Sequence, residues 1–192
     1  MNVRNRPARA LAVAIALVAA LTLGACSSSS GSSTATSTGG APAGSSPVLP
    51  VTDNPITNSS TDQTLTIDSV LVENNEDADG NAVDDHLEIA LTNTGTDPLT
   101  GFEVFYTFTD TTTDASESYY AALPDTFTIE PGSSRVAHFD NTGATDHFPT
   151  NDFSLYKTST NAQEVTVEVS ARGAAVQTAT VQKDAGGAEE AD

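Results

Sequence analysis

Residues 164–170 read "EVTVEVS". Valine stands at 165, 167 and 169, with Glu164, Thr166, Glu168 and Ser170 between them. In an extended chain successive side chains point to opposite faces, so one face of this segment is all valine and the other all polar. A helix would scatter the three valines around its circumference. The segment therefore predicts a strand with one buried face, and it sets the pattern to seek elsewhere.

The same period recurs between Thr64 and Lys183, where no stretch follows a helical period. Leu87, Ile89 and Leu91 share a face of "HLEIALT", and Phe102, Val104, Tyr106 and Phe108 share a face of "FEVFYTFT". Leu65 and Ile67 alternate, then the phase changes to Val70 and Val72, which predicts a bulge or bend. Phe127 with Ile129, Val136 with His138 or Ala137 with Phe139, and Phe153 with Leu155 extend the series. Turn residues fill the gaps: Asn93-Thr94-Gly95, Asp97-Pro98, Pro131-Gly132 and Asn141-Thr142-Gly143. Short strands with one apolar face each predict an all-β antiparallel β-sandwich over residues 64–183. A parallel α/β fold lacks its crossover helices.

The 192 residues carry 26 acidic and 7 basic side chains, for a formal charge of −19. Three of the arginines lie within the first nine residues, so the body is more acidic than the total suggests. Such a surface repels nucleic acid and anionic headgroups, and we expect no nucleic-acid partner. A single Cys excludes an intramolecular disulfide.

That Cys has a setting. Arg4, Arg6 and Arg9 precede a run from Ala10 to Leu23 in which only Thr22 is polar. As a helix the run would span about 21 Å, short of the roughly 30 Å hydrocarbon core, as in a secretory signal. It ends Leu23-Gly24-Ala25-Cys26, which resembles the lipobox of bacterial lipoproteins at all four positions. The resemblance implies a lipoprotein signal peptide over 1–25, removed on maturation. It also implies a diacylglycerol thioether and an N-acyl lipid on Cys26, holding the protein to the membrane on the extracytoplasmic face. Residues 26–63 are rich in Ser, Thr, Gly and Pro and nearly uncharged, a composition expected to form a disordered tether. A flexible coil of about 36 residues reaches roughly 30–36 Å. Residues 184–192 read as a short acidic disordered tail.

"LEIALTNTGTDPLTGFEVFYTFTD" (87–110) and "FTIEPGSSRVAHF" (127–139) resemble the immunoglobulin-like modules of bacterial and archaeal surface proteins, of the CARDB-like and FxLYD-like kind. The shared features are a strand ending Asn-x-Gly, a following aromatic strand, and a Pro-Gly turn opening a later one. The resemblance implies an immunoglobulin-like β-sandwich.

"DADGNAVDDHLE" (77–88) resembles the acidic calcium loops of EF-hand, dockerin and thrombospondin type 3 repeats. By position, Asp77, Asp79 and Asn81 would offer side-chain oxygens and Val83 its carbonyl. Asp85 would bind directly or through water, and Glu88 would close the site with two oxygens. Ala82 stands where those loops carry Gly. Seven carboxylates fall between Glu73 and Glu88, a clustering that repels itself unless neutralised. Two readings stand: a calcium site, and a solvated acidic turn that uses Asp and Gly for backbone reasons.

Other patterns are sparser. His138, Asp140, Asp146 and His147 could converge on zinc if the strands that carry them face each other. Tyr119 and Tyr120, with Phe105, offer either an exposed aromatic patch or one ring in the core and one at the rim. No serine sits in a strand-turn-helix nucleophile elbow, and lipid would consume Cys26, so no enzyme is expected. The sequence thus points to a non-catalytic interaction or structural module at the cell envelope, with an envelope protein or glycan as partner. The alternative is a small-ligand or metal-capture lipoprotein, which requires a pocket lined by His138, His147 and aromatic rings.

Overall fold

The computed structural model describes residues 48–73 and 87–186. Eight strands and one helical turn follow in order: β1 Leu65–Val72, β2 Leu87–Asn93, β3 Glu103–Asp110, β4 Ser116–Ala122, β5 Ser134–Phe139, β6 His147–Phe148, α1 Leu155–Thr158, β7 Gln163–Ser170 and β8 Gln177–Lys183. They form two four-stranded sheets, β1-β2-β5-β6 (sheet I) and β4-β3-β7-β8 (sheet II). Antiparallel neighbours β1–β2, β3–β4 and β7–β8 stay within a sheet, while the chain crosses between sheets after β2, β4 and β6. This is the Greek-key order of an immunoglobulin-like sandwich.

The alternation seen in the sequence becomes the core. Val165, Val167 and Val169 of β7 are buried with Val104, Tyr106 and Phe108 of β3, and Leu87, Ile89 and Leu91 of β2 lie in the same cluster. In β5 the inward set is Ala137 and Phe139, which settles the choice of face. Aromatic rings fill the space between sheets. Tyr106 stacks on Tyr119 with centroids 5.5 Å apart, and Phe108 stacks on Tyr156 at 4.9 Å and 9°. Strand β1 carries its register shift between Ile67 and Ser69, where the sequence changed phase.

Asn93 ends β2 fully buried and organises the next turn. Its amide Nδ2 donates to the carbonyls of Asp97 (2.8 Å) and Ile129 (2.9 Å), and its Oδ1 accepts from Gly95 N (2.8 Å). A Cβ at Gly95 would meet the Thr64 side chain at 2.9 Å, so only glycine fits that close approach. Asn93→Ala removes three hydrogen bonds that hold the turn and tie it to Ile129, although the Ile129 carbonyl keeps its bond from Leu99 N, and is expected to cost about 1–3 kcal/mol by urea denaturation.

The structure departs from the sequence reading in several places. Phe153 and Leu155 do not share a strand face: Phe153 is 85% exposed, and Leu155 opens the one-turn helix α1. The Asn151 side chain accepts from Phe153 N (2.8 Å) and Ser154 caps α1, so local Asx and Ser chemistry overrides a two-residue apolar pattern. Phe127 and Ile129 are buried but make only an isolated bridge, Leu99 to Ile129. Strand β6 pairs with β5 in parallel, so sheet I is not wholly antiparallel.

Residues 48–63, expected within the tether, pack on the body instead. Val51 N donates to Ser118 O on the outer edge of β4 (2.8 Å), and Asn54 reaches Glu168 on β7 (2.8 Å). Asn58 Nδ2 then donates to Ser170 Oγ and to the carbonyls of Ala171 and Ala174, while Ser60 donates to the Gly173 carbonyl. The packed chain therefore begins upstream of Thr64, held by amides and hydroxyls together with Val48, which packs against the core.

Candidate functional site

Sheet register brings together groups far apart in the chain. Glu88 on β2 lies opposite His138 on β5, and His138 lies beside His147 on β6. The two imidazoles stack with centroids 4.4 Å apart and planes 7° from parallel. Each has a carboxylate at Nδ1: Glu88 Oε1 is 3.0 Å from His138, and Asp140 Oδ2 is 2.6 Å from His147. Thr142 fixes Asp140 from the other side, donating to Oδ1 from its hydroxyl (2.7 Å) and its backbone N–H (2.9 Å).

Asp146 takes no part in this cluster. It accepts two hydrogen bonds from Arg135, at 2.7 Å from Nε and 2.6 Å from Nη2. The same guanidinium lies 4.4 Å from the Phe127 centroid and donates to the Thr126 and Thr128 carbonyls. Of the four residues considered for zinc, three are adjacent and one is committed to Arg135. The stacked rings hold their in-plane lone pairs in parallel planes, so one ion cannot lie in both. Among the described residues no group of three or more His, Cys, Asp or Glu is arranged to hold a metal.

The cluster does not form a nucleophilic array either. In such an array the acid binds one imidazole nitrogen and the nucleophile the other. Here Thr142 Oγ1 lies 3.0 Å from His147 Nδ1, the nitrogen already facing Asp140.

Cys26 and the loop residues Asp77, Asp79, Asn81, Val83 and Asp85 lie outside the described residues. Glu88 is described, and its contact with His138 was not legible without the register. A calcium ion closing on Glu88 with two oxygens would compete with that histidine. Tyr119 is buried in the core, whereas Tyr120 faces outward, opposite Phe105. The Tyr120 hydroxyl donates to Glu103 (2.6 Å), and burial together with that carboxylate pushes its pKa up to about 12. Of the two arrangements open for this pair, the structure holds one ring in the core and one at the rim.

A second polar cluster closes the β3–β4 end. Asp110 accepts from Asn161 Nδ2 (2.8 Å), Ser159 Oγ (2.7 Å) and the N–H groups of Thr112 and Thr113. These bonds, the two side chains foremost, outweigh burial and hold its carboxyl far below the usual carboxylate range. At Asp140 burial is the largest influence and acts upward. The Thr142 and His147 bonds together exceed it and lower the pKa. A carboxyl depressed in the folded state stabilises above its unfolded pKa, near 4, and that stability is lost as pH falls through the folded value. The urea midpoint should therefore drop as pH falls from about 4 to 2. Asp110→Asn should start lower at pH 6 and lose less over that range. An equal drop in both proteins would contradict this assignment.

A small interior cavity lies between the sheets, lined by Leu87, Tyr106, Phe108, Phe139 and Tyr156, with Tyr119 and Thr150. Neither histidine lines it. Among the described residues, the His138–His147 pair and this aromatic-lined space are separate features. No helix among the described residues is long and apolar enough to cross a membrane.

No family model matches the chain, and no curated protein sequence matches it. Among solved structures, the chain is similar to the ApaA protein of Bordetella pertussis, at 12% identity and TM-score 0.36, covering 65% of this chain and 96% of that one. It is also similar to a β-glucosidase of intestinal bacteria involved in saponin metabolism, at 20% identity and TM-score 0.29, over 62% of this chain and 15% of the other. Neither likeness is close enough to bear on fold or activity.

Proposed function

We propose that the chain is a membrane-anchored extracytoplasmic lipoprotein whose sandwich serves as a non-catalytic interaction or structural module at the cell envelope. The observation that carries the reading is the ordered series of three arginines, a 14-residue run with one polar member, and Leu23-Gly24-Ala25-Cys26. The disposition of the two sheets supports a binding role. Residues 51–60 reach sheet II from the edge of β4 to the β7–β8 turn. Sheet I presents Ser69, Ala90 and Val136 as one cross-strand row of small and branched side chains. That row is the face we assign to an envelope protein or glycan partner.

Protease added to spheroplasts tests the placement. The head should be digested while cytoplasmic markers survive, and a protected head would overturn the reading. A photo-crosslinker at Val136 tests the face: it should yield an adduct with an envelope component, and an outcome no different from a crosslinker at Thr178 would count against it.

Calcium is part of the same proposal, at Asp77, Asp79, Asn81, Val83, Asp85 and Glu88. Millimolar calcium should raise the melting temperature relative to chelator, because an ion that binds only the folded state stabilises it by mass action. No shift would retire the ion and leave the acidic turn.

A further inference from the structure

Residues 51–60 run from the edge of β4 to the β7–β8 turn, and among the described residues every hydrogen bond they make to the sheets there points one way. Val51 N donates to Ser118 O, and Asn54 Nδ2 to Glu168 Oε2. Asn58 Nδ2 donates to Ser170 Oγ and to the Ala171 and Ala174 carbonyls, and Ser60 Oγ to the Gly173 carbonyl. The body thus presents a line of acceptors, and the segment lying on it supplies the donors. Its hold is shallow. Residues 52–55 are exposed and Val51 makes only an isolated bridge, so most of these bonds exchange with bonds to water at little net cost.

Charge decides what would fit the same line better. Glu168 stands on the outer face of sheet II, opposite Phe105 of β3, and the group that Asn54 brings to it is a neutral amide. A guanidinium or ammonium at that place adds Coulomb attraction to the hydrogen bond, and a guanidinium can engage both carboxylate oxygens. The chain's charge of −19 favours a cationic arrival further. Backbone pairing is also incomplete. Among the described residues only Val51 bonds the outer edge of β4, so an extended segment finds further edge groups beside Ser118.

We propose that residues 51–60 are a displaceable cover over a docking site for an extended, basic segment of a partner protein. The site runs from the edge of β4 across sheet II to the β7–β8 turn, and Glu168 selects Lys or Arg in the place that Asn54 now takes. It lies on the opposite sheet from the row Ser69, Ala90 and Val136, and it does not depend on the lipid anchor.

The probe is a fluorescent peptide of residues 48–60, in its native form and with Asn54→Arg, titrated by anisotropy against the full chain in detergent. Two variants of the full chain loosen the cover. Val51→Pro removes the N–H that bonds Ser118 O, and Asn58→Ala removes the bonds to the β7–β8 turn. Val51→Pro leaves that turn untouched, so the test stands even where Asn58→Ala disturbs it. The Arg peptide should bind the loosened chains at least about tenfold tighter than the wild type, whose own cover competes. It should also bind roughly tenfold tighter than the native peptide at low salt, and Glu168→Gln should erase that difference. No binding to the Val51→Pro chain, or equal affinity for loosened and wild-type chains, would overturn the docking site. Equal affinity of the two peptides, or a preference that survives Glu168→Gln, would overturn the basic partner.

Discussion

Phe108→Ala is expected to lower the stability of the domain by about 4 kcal/mol, near the middle of the range for deleting a buried aromatic ring. The ring is 2% exposed and touches three others: Tyr156 face to face at 4.9 Å, and Tyr106 and Tyr119 edge-on at 5.6 and 6.3 Å. It also lines the interior cavity, so its removal would enlarge an existing space rather than open one that neighbours could close. Single domains are stable by roughly 5–15 kcal/mol, which makes this loss a large share of the total. Phe153→Ala is the control. That ring is 85% exposed, and its removal should change stability by less than about 0.5 kcal/mol. Urea denaturation of both variants separates the two cases. Comparable losses would mean that the 153–155 segment packs as the strand its sequence suggested.

The second large effect concerns attachment. Cys26→Ala removes the thiol that would carry the diacylglycerol, and with it the free amino group created by cleavage before Cys26. One acyl chain gives only marginal membrane binding, with a constant on the order of 10⁴ M⁻¹, so firm attachment needs the further chains that this cysteine would bear. The variant should incorporate no labelled fatty acid and should run at precursor mass, whereas the wild-type chain should be labelled and shorter. A labelled Cys26→Ala protein would place the lipid elsewhere.

Which parts of the molecule could be read in advance follows from where the information lies. Strands β2, β3 and β7 were legible because burial on one face writes itself into the sequence at a period of two: Leu87-Ile89-Leu91, Val104-Tyr106-Phe108 and Val165-Val167-Val169. The bulge in β1 was legible as a phase change. Strands β4 and β8 were not. In "SESYYAA" and "QTATVQK" the inward faces, Glu117-Tyr119-Ala121 and Gln177-Ala179-Val181-Lys183, set one large apolar residue each among polar and small ones, because each strand lies at the edge of sheet II. The packed segment 48–63 escaped for a different reason. It is held by Asn54, Asn58 and Ser60 bonding to the rim of sheet II, and amides and hydroxyls of this kind look the same in a tether.

The polar clusters show the same division. "HFDNTGATDHF" drew attention to two histidines and two aspartates, yet chain spacing could not reveal that Asp146 belongs to Arg135 or that Glu88 belongs to His138. Those pairings depend on register between strands distant in the chain. Asp110 closes β3 without any motif at all, since its partners Ser159 and Asn161 lie about fifty residues away. Composition nonetheless bounded the outcome: a single Cys and an acidic body leave packing and hydrogen bonds to hold the domain.

The mass of the protein extracted from membranes tests the lipoprotein account most directly. A first residue at Cys26 bearing a thioether-linked diacylglycerol and an amide-linked acyl chain is the result expected. A chain that still starts at Met1, or a Cys26 with its thiol free, would contradict it.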